Sequence, residues 1–232
     1  MSDPQVVDLA RPIRPQSFGR SRPDRIADPV VEPQWPGIRT VAAIGGGSAA
    51  LFDDAGDSLS EPADVLAAMP GSLAGAGDGA ILDGYLTKQV ATDDGVQTWV
   101  NEYPTFGSEM SRFLVGGARR RAEEAARQRE ADIRDVTFEP EDPVNLVAVD
   151  LLWLDGRWLL DVPLLERKRI LESILPGTEL VRAGPFVRPP IGTWIGSWRA
   201  QGFRGLTFKA ANSRYRPGET APDWSASRMP RR

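Results

Sequence analysis

The sequence predicts an α+β fold in which mostly antiparallel strands are flanked by helices. Three observations point there. Short apolar stretches alternate with turn residues through the first part of the chain, Val144 to Leu154 is a nearly continuous apolar run of strand length, and Pro163 to Leu175 has the spacing of an amphipathic helix.

Taken in order, the chain opens with a segment rich in Pro, Arg, Asp and Ser. Pro4, Pro12, Pro15, Pro23 and Pro29 exclude a continuous helix, so residues 1–29 read as an extended leader and residues 30–232 as one domain. Arg39–Ile44 and Ala49–Phe52 flank Gly45-Gly46-Gly47 and predict a hairpin. That glycine run lacks the lysine and following helix of a phosphate-cradling P-loop. A small helix is expected over Pro62–Met69, a loop over Gly71–Gly79 and a strand over Ala80–Thr87. A second strand, Val96–Val100, follows the turn Asp93-Asp94-Gly95.

Ser108 to Arg134 reads as a helix, with Arg119–Glu123, Arg120–Glu124, Glu123–Arg127 and Glu130–Arg134 at i,i+4 spacing. Its Arg119-Arg120-Arg121 run has two readings, contact with a phosphate backbone or a solvated face with internal pairing, and the second is favoured. Val144–Leu154 has the β-branched content of a central strand covered on both faces. Asp150 inside it is costly unless paired or functional. After the turn Asp155-Gly156, Asp161 is the expected cap of the Pro163–Leu175 helix, which Pro176-Gly177 closes. Pro189-Pro190 opens another helix carrying Trp194 and Trp198 one turn apart, read as core packing in preference to a base-stacking platform. Phe203–Lys209 is the last expected strand, and the remainder is expected to be loop.

Composition narrows the chemistry. The 232 residues include neither cysteine nor histidine, which removes disulfides, Cys/His zinc sites, cysteine nucleophiles and Ser-His-Asp arrangements. Catalysis on this chain would have to use carboxylates, lysine, arginine or an oxygen-bound cation such as magnesium. No run approaches a membrane span, and Met1-Ser2-Asp3-Pro4 lacks a signal-peptide pattern, so a cytoplasmic location is expected. The net charge is -4, yet from Arg188 to Arg232 nine lysines and arginines face only Glu219 and Asp223. A basic end on an acidic protein is read either as a phosphate-facing surface or as a solvated tail.

Four ordered blocks carry a resemblance. Val149-Asp150-Leu151-Leu152-Trp153-Leu154-Asp155-Gly156, continuing through Asp161-Val162-Pro163-Leu164-Leu165-Glu166-Arg167-Lys168, resembles the "FDLLWLDG…PLLERK" signature of bacterial ATP-dependent DNA ligases. Gly202-Phe203-Arg204-Gly205-Leu206-Thr207-Phe208-Lys209, continuing to Gly218, is similar to "GxEGxVxKxxxSxYxPGxR". Leu82-Asp83-Gly84-Tyr85 resembles "LDGE", and Glu32-Pro33-Gln34-Trp35-Pro36-Gly37-Ile38-Arg39 lies where "ExKxDGxR" would stand. The resemblance spans about Val30 to Arg228 and implies the ATP-grasp-like nucleotidyltransferase fold of these ligases. It also implies ATP and magnesium as cofactors and DNA as partner. Because the chain reaches Arg232 just past the position of the final "WxKxK" block, the OB-fold domain of the family is expected to be missing.

In that family a lysine attacks the α-phosphate of ATP, and the adenylate then passes to a 5′-phosphate at a nick. The resemblance places Gln34 at the nucleophilic lysine and Pro36 at its companion acid. Tyr85 falls at the acid closing "LDGE", Arg204 at the metal-supporting glutamate, and Val149 at the aromatic that stacks on adenine. Arg39, Asp150, Lys209 and Arg228 are the retained groups it assigns to the nucleotide, with no metal ligand left. Three functions are open. The first is a degenerate, inactive ligase relative that meets nucleotide or nucleic acid in repair through Arg39, Lys209, Arg214, Arg216 and Arg228. The second is an active nucleotidyltransferase with Lys88 or Lys209 as relocated nucleophile. The third is an interaction module that docks on a repair protein through the leader and the Arg119–Arg134 helix.

Overall fold

Period-two alternation builds two sheets, which face each other across the middle of the molecule. The computed structural model describes residues 6–89 and 144–229. The strand expected at Val96–Val100 and the helix expected at Ser108–Arg134, with its arginine run, lie outside the described residues. Along the chain the elements are α1 (Val6–Ala10), β1 (Ser17–Phe18), β2 (Pro29–Pro33), β3 (Ile38–Gly45), β4 (Ser48–Asp53), β5 (Ser58–Leu59), α2 (Ala63–Ala68) and β6 (Ala80–Thr87). They continue with β7 (Asn145–Leu154), β8 (Arg157–Trp158), α3 (Leu164–Ile174), β9 (Val181–Ala183), α4 (Gly192–Ala200), β10 (Gly205–Ala210), β11 (Thr220–Ala221) and β12 (Trp224–Arg228).

The larger sheet has strand order β5-β4-β3-β6-β7-β8, with β9 pairing β7 to complete seven strands. The smaller has order β12-β10-β2, and β1 pairs β11 in a separate two-stranded ladder. Pairing is antiparallel except for β7 with β9 and β1 with β11. The expected α+β arrangement is therefore present, and β3 and β4 form the expected hairpin around Gly46 and Gly47, whose positive φ closes the turn. β7 is the central strand the apolar run predicts, buried along all but its last residue. One of its faces joins Leu171 and Ile174 of α3, while Val147 and Val149 on the other join Ile195 and Trp198 of α4. Trp198 is buried and stacks at 5.8 Å on Trp194, the core role expected for that pair.

Three local expectations need correction. Residues 6–26 are not simply extended. Val6, Ala10 and Ile13 fall at helical spacing ahead of and just beyond Pro12, and they bury themselves against Val41, Phe52 and Ile81 of the larger sheet. Asp161 does not cap α3. Pro163 stands at the cap position, and the amides of Leu164 and Leu165 donate to the carbonyls of Ser213 and Ala211 at 3.0 and 2.9 Å, so a neighbouring turn satisfies the helix start. The stretch after Lys209 is not all loop, because Trp224–Arg228 pairs with β10 from Trp224↔Lys209 to Arg228↔Gly205. Among the described residues, no helix is long and apolar enough to cross a membrane.

Candidate functional site

The register of the smaller sheet puts a line of polar groups on the face turned toward the larger one. Glu32 of β2 stands opposite Thr207 of β10, and Lys209 lies two residues further along the same face. Across from them, β6 presents Tyr85 and β7 presents Val149. Between the sheets lies a narrow cleft, too tight to admit a water-sized sphere, bordered by Phe18, Glu32, Trp35, Tyr85, Val149 and Lys209.

Glu32 is the electrostatic centre of this cleft. One carboxylate oxygen contacts the Lys168 ammonium from α3, and the other lies 2.7 Å from the Lys209 ammonium and accepts from the Thr207 hydroxyl at 3.2 Å. All three charged side chains are buried. Burial pushes the Glu32 carboxyl up, but the two ammonium groups outweigh it and hold the group at about 2. Burial pulls the Lys168 ammonium below the usual lysine value, only partly offset by Glu32. Aromatic faces complete the cage, with Phe186 5.2 Å from Lys168, and Trp224 and Phe18 4.6 and 5.9 Å from Lys209.

A second network lies beside the first. The Arg39 guanidinium of β3 grips Asp83 of β6 through Nε and Nη2, each at 2.5 Å, and donates through Nη1 to the Tyr85 hydroxyl at 2.8 Å. Tyr215 donates to the same carboxylate at 2.8 Å. Burial pulls Arg39 down, but Asp83 prevails and holds it well above the ordinary arginine value. Burial raises the Tyr85 hydroxyl, with Arg39 opposing, so the phenol stays neutral where a carboxylate would be charged. Asp150 accepts both Nε and Nη2 of Arg167 at 2.7 Å, which is how β7 tolerates a buried charge.

The structure thus brings Tyr85, Val149 and Lys209 to the cleft, with Arg39 joined to it through Tyr85. Gln34 directly follows β2, its backbone N–H donating to the Gly205 carbonyl at 2.9 Å. Its side-chain oxygen lies so close over Gly205 that a Cβ there would come within 2.1 Å. Asp150 is committed to Arg167, while Arg228, Arg204, Arg214 and Arg216 are exposed. Sequence reasoning did not single out Glu32, Lys168, Arg167 or Tyr215 as a group, although each stood inside a quoted block. What marked them was charge or a hydroxyl amid residues destined for burial. Phe18 carried no such signal.

These residues do not fit a magnesium ion, which needs oxygen ligands left open to it. Glu32 is shared by two lysines, Asp83 by Arg39 and Tyr215, and Asp150 is taken by Arg167. Nor does the cleft, with Phe18 in place, fit a nucleotide, because it leaves essentially no free volume for a ligand. Phosphate chemistry does fit the cation set. Arg39, Arg167, Lys168 and Lys209 face only Glu32, Asp83 and Asp150, so one positive charge is in excess. The buried Trp35 indole N–H lacks an acceptor among the described residues.

A twisted antiparallel sheet facing a smaller one across a cationic cleft defines a nucleotidyltransferase fold, and comparison with known proteins places it. Residues 116–225 match the family described as ATP dependent DNA ligase domain. A probable DNA ligase of Streptomyces coelicolor is 29% identical over 203 residues, covering 84% of this chain and 34% of that protein. The multifunctional non-homologous end joining DNA repair protein LigD of Mycobacterium tuberculosis is 35% identical over 82 residues, covering 35% of this chain and 10% of that protein. The chain therefore spans about a third or less of these relatives. Among solved structures, the ligase domain of M. tuberculosis LigD superposes with a TM-score of 0.63 at 20% identity, covering 94% of this chain and 60% of that one. Mycobacterial DNA ligase D complexed with ATP and MES gives 0.60 at 21% identity, covering 92% and 59%. By sequence over residues 116–225 and by fold over most of its length, the chain is similar to ATP-dependent DNA ligase domains.

Proposed function

We propose that this chain is a catalytically silent adenylation-domain relative, which meets the phosphates of nucleotide or DNA in a repair setting in the cytoplasm without capturing AMP covalently. One observation carries this reading: Glu32 holds both Lys168 and Lys209. The lysines of the sequence are Lys88, Lys168 and Lys209. Attack on phosphorus needs an amine with a free lone pair close to the phosphate. Gln34 offers an amide, whose nitrogen lone pair is delocalised. Lys209 is an ammonium bound to a carboxylate, and Lys88 lies past the end of β6, outside the residues bordering the cleft. The repair setting follows the printed name of the mycobacterial relative.

The relocated-lysine reading has one observation in its favour, the lowered proton affinity that burial gives Lys168. Against it, Lys168, within α3, is not among the residues bordering the cleft and contacts Glu32. Incubation with α-labelled ATP and magnesium separates the two readings. No radioactivity remains on the protein after denaturation if the domain is silent. Label that survives denaturation, and disappears in one of Lys88→Ala, Lys168→Ala or Lys209→Ala, identifies a working nucleophile and defeats the proposal.

A further inference from the structure

Residues 6–26 cross the open side of the cleft, anchored by buried apolar residues at both ends and by hydrogen bonds between. Val6, Ala10 and Ile13 are buried at one end, and Ile26 is buried beside Val31 and Phe208 at the other. In between, Phe18 lies half-buried over the cations, its ring 6.0 Å from the Arg39 guanidinium, 5.9 Å from the Lys209 ammonium and 5.8 Å from Trp224. We infer that residues 17–22 form a displaceable strap, whose Phe18 ring stands over Arg39 and Lys209 in place of a phosphate-bearing ligand.

The excess positive charge of the site supplies the reason. A buried cation set that outnumbers its carboxylates needs negative potential, and the face of an aromatic ring provides it in part. A phosphate supplies it fully, and it also brings acceptors for buried donors such as the Trp35 N–H. No residue of 17–22 is fully buried, so hydrogen bonds rather than the core hold this segment. β1 pairs with β11 over only Ser17↔Thr220 and Phe18↔Ala221. Gly19 donates to the Trp224 carbonyl at 3.0 Å, and Ser21 exchanges side-chain to backbone bonds with Pro222 and Ser225 at 2.5 and 2.6 Å. Short ladders at a surface belong to the low-stability end of a fold and open locally. Displacing Phe18 uncovers the Arg39 and Lys209 cations to a phosphate group.

This inference rests on the proposed phosphate-binding reading but not on silence, because its readout is reversible binding. Full-length protein is titrated calorimetrically with ATP, and separately with inorganic tripolyphosphate, at low ionic strength without magnesium. Phe18→Ala is expected to bind at least one of them tenfold or more tighter than the unaltered chain, and Phe18→Leu, which still fills the space, to stay within threefold. Folded Phe18→Ala that binds neither ligand more tightly overturns the strap. Should Phe18→Ala not fold, the chain's lack of cysteine allows a second arm, Ser17→Cys with Thr220→Cys, whose parent hydroxyls lie 2.9 Å apart. The reduced form is expected to bind at least tenfold more tightly than the oxidised form. Equal binding, or none in either form, overturns the inference.

Discussion

At Glu32 a single carboxylate balances two buried ammonium groups, so the position responds to substitution as a charge rather than as a volume. Glu32→Gln leaves Lys168 and Lys209 facing each other unpaired in the interior, and breaking a buried pair this way costs about 3–5 kcal/mol. Urea unfolding at neutral pH is expected to show that loss. Acid has a related effect. The Glu32 carboxyl is held at about 2, below its ordinary 4.5, so its contribution is complete above about pH 4.5 and is lost as the pH falls toward 2. Integrated over that window it amounts to on the order of 3 kcal/mol. The acid limb of the stability curve between those pH values is expected to flatten in Glu32→Gln. Lys168 works in the opposite sense: its lowered proton affinity is a destabilising contribution at neutral pH that fades as the pH rises.

At the scale of elements, approaches of backbone to backbone set the cleft walls. Gly37, between β2 and β3, has φ +114°, and a Cβ there would meet the Leu86 carbonyl oxygen of β6 at 2.1 Å. Gly37→Ala is expected to destabilise by about 1–3 kcal/mol, read as a lower thermal midpoint, since both the backbone region and the contact reject a side chain. Elements with a strong period were legible in the sequence. The β3–β4 hairpin, β6, β7 and α3 follow from alternation, an apolar run or helical spacing. α1 and β12 were not, for physical reasons. α1 is a single turn squeezed ahead of Pro12 and stabilised by the sheet beneath it. β12, Trp-Ser-Ala-Ser-Arg, carries small polar residues whose pairing is set by β10 rather than by their own propensity. The start of α3 misled for a similar reason, because its donors are satisfied by carbonyls distant in sequence.

For the whole molecule, the two sheets together convert scattered charges into a site. Sequence motifs singled out Asp83, Asp150, Lys209, Gln34, Tyr85 and Arg204. They did not show that the retained groups neutralise one another, because Glu32 and Lys168 stand far apart in the chain and meet only when α3 packs beside β2 and β10. Lys168 and Lys209 are both committed to Glu32. With lysine present at Lys88, Lys168 and Lys209 alone, selective 15N-lysine NMR observes each ammonium directly. The predicted result is two ammonium resonances, from Lys168 and Lys209, that exchange slowly with water at neutral pH and vanish in Glu32→Gln. Lys168 and Lys209 signals that exchange fast, or that Glu32→Gln leaves unaffected, would contradict it.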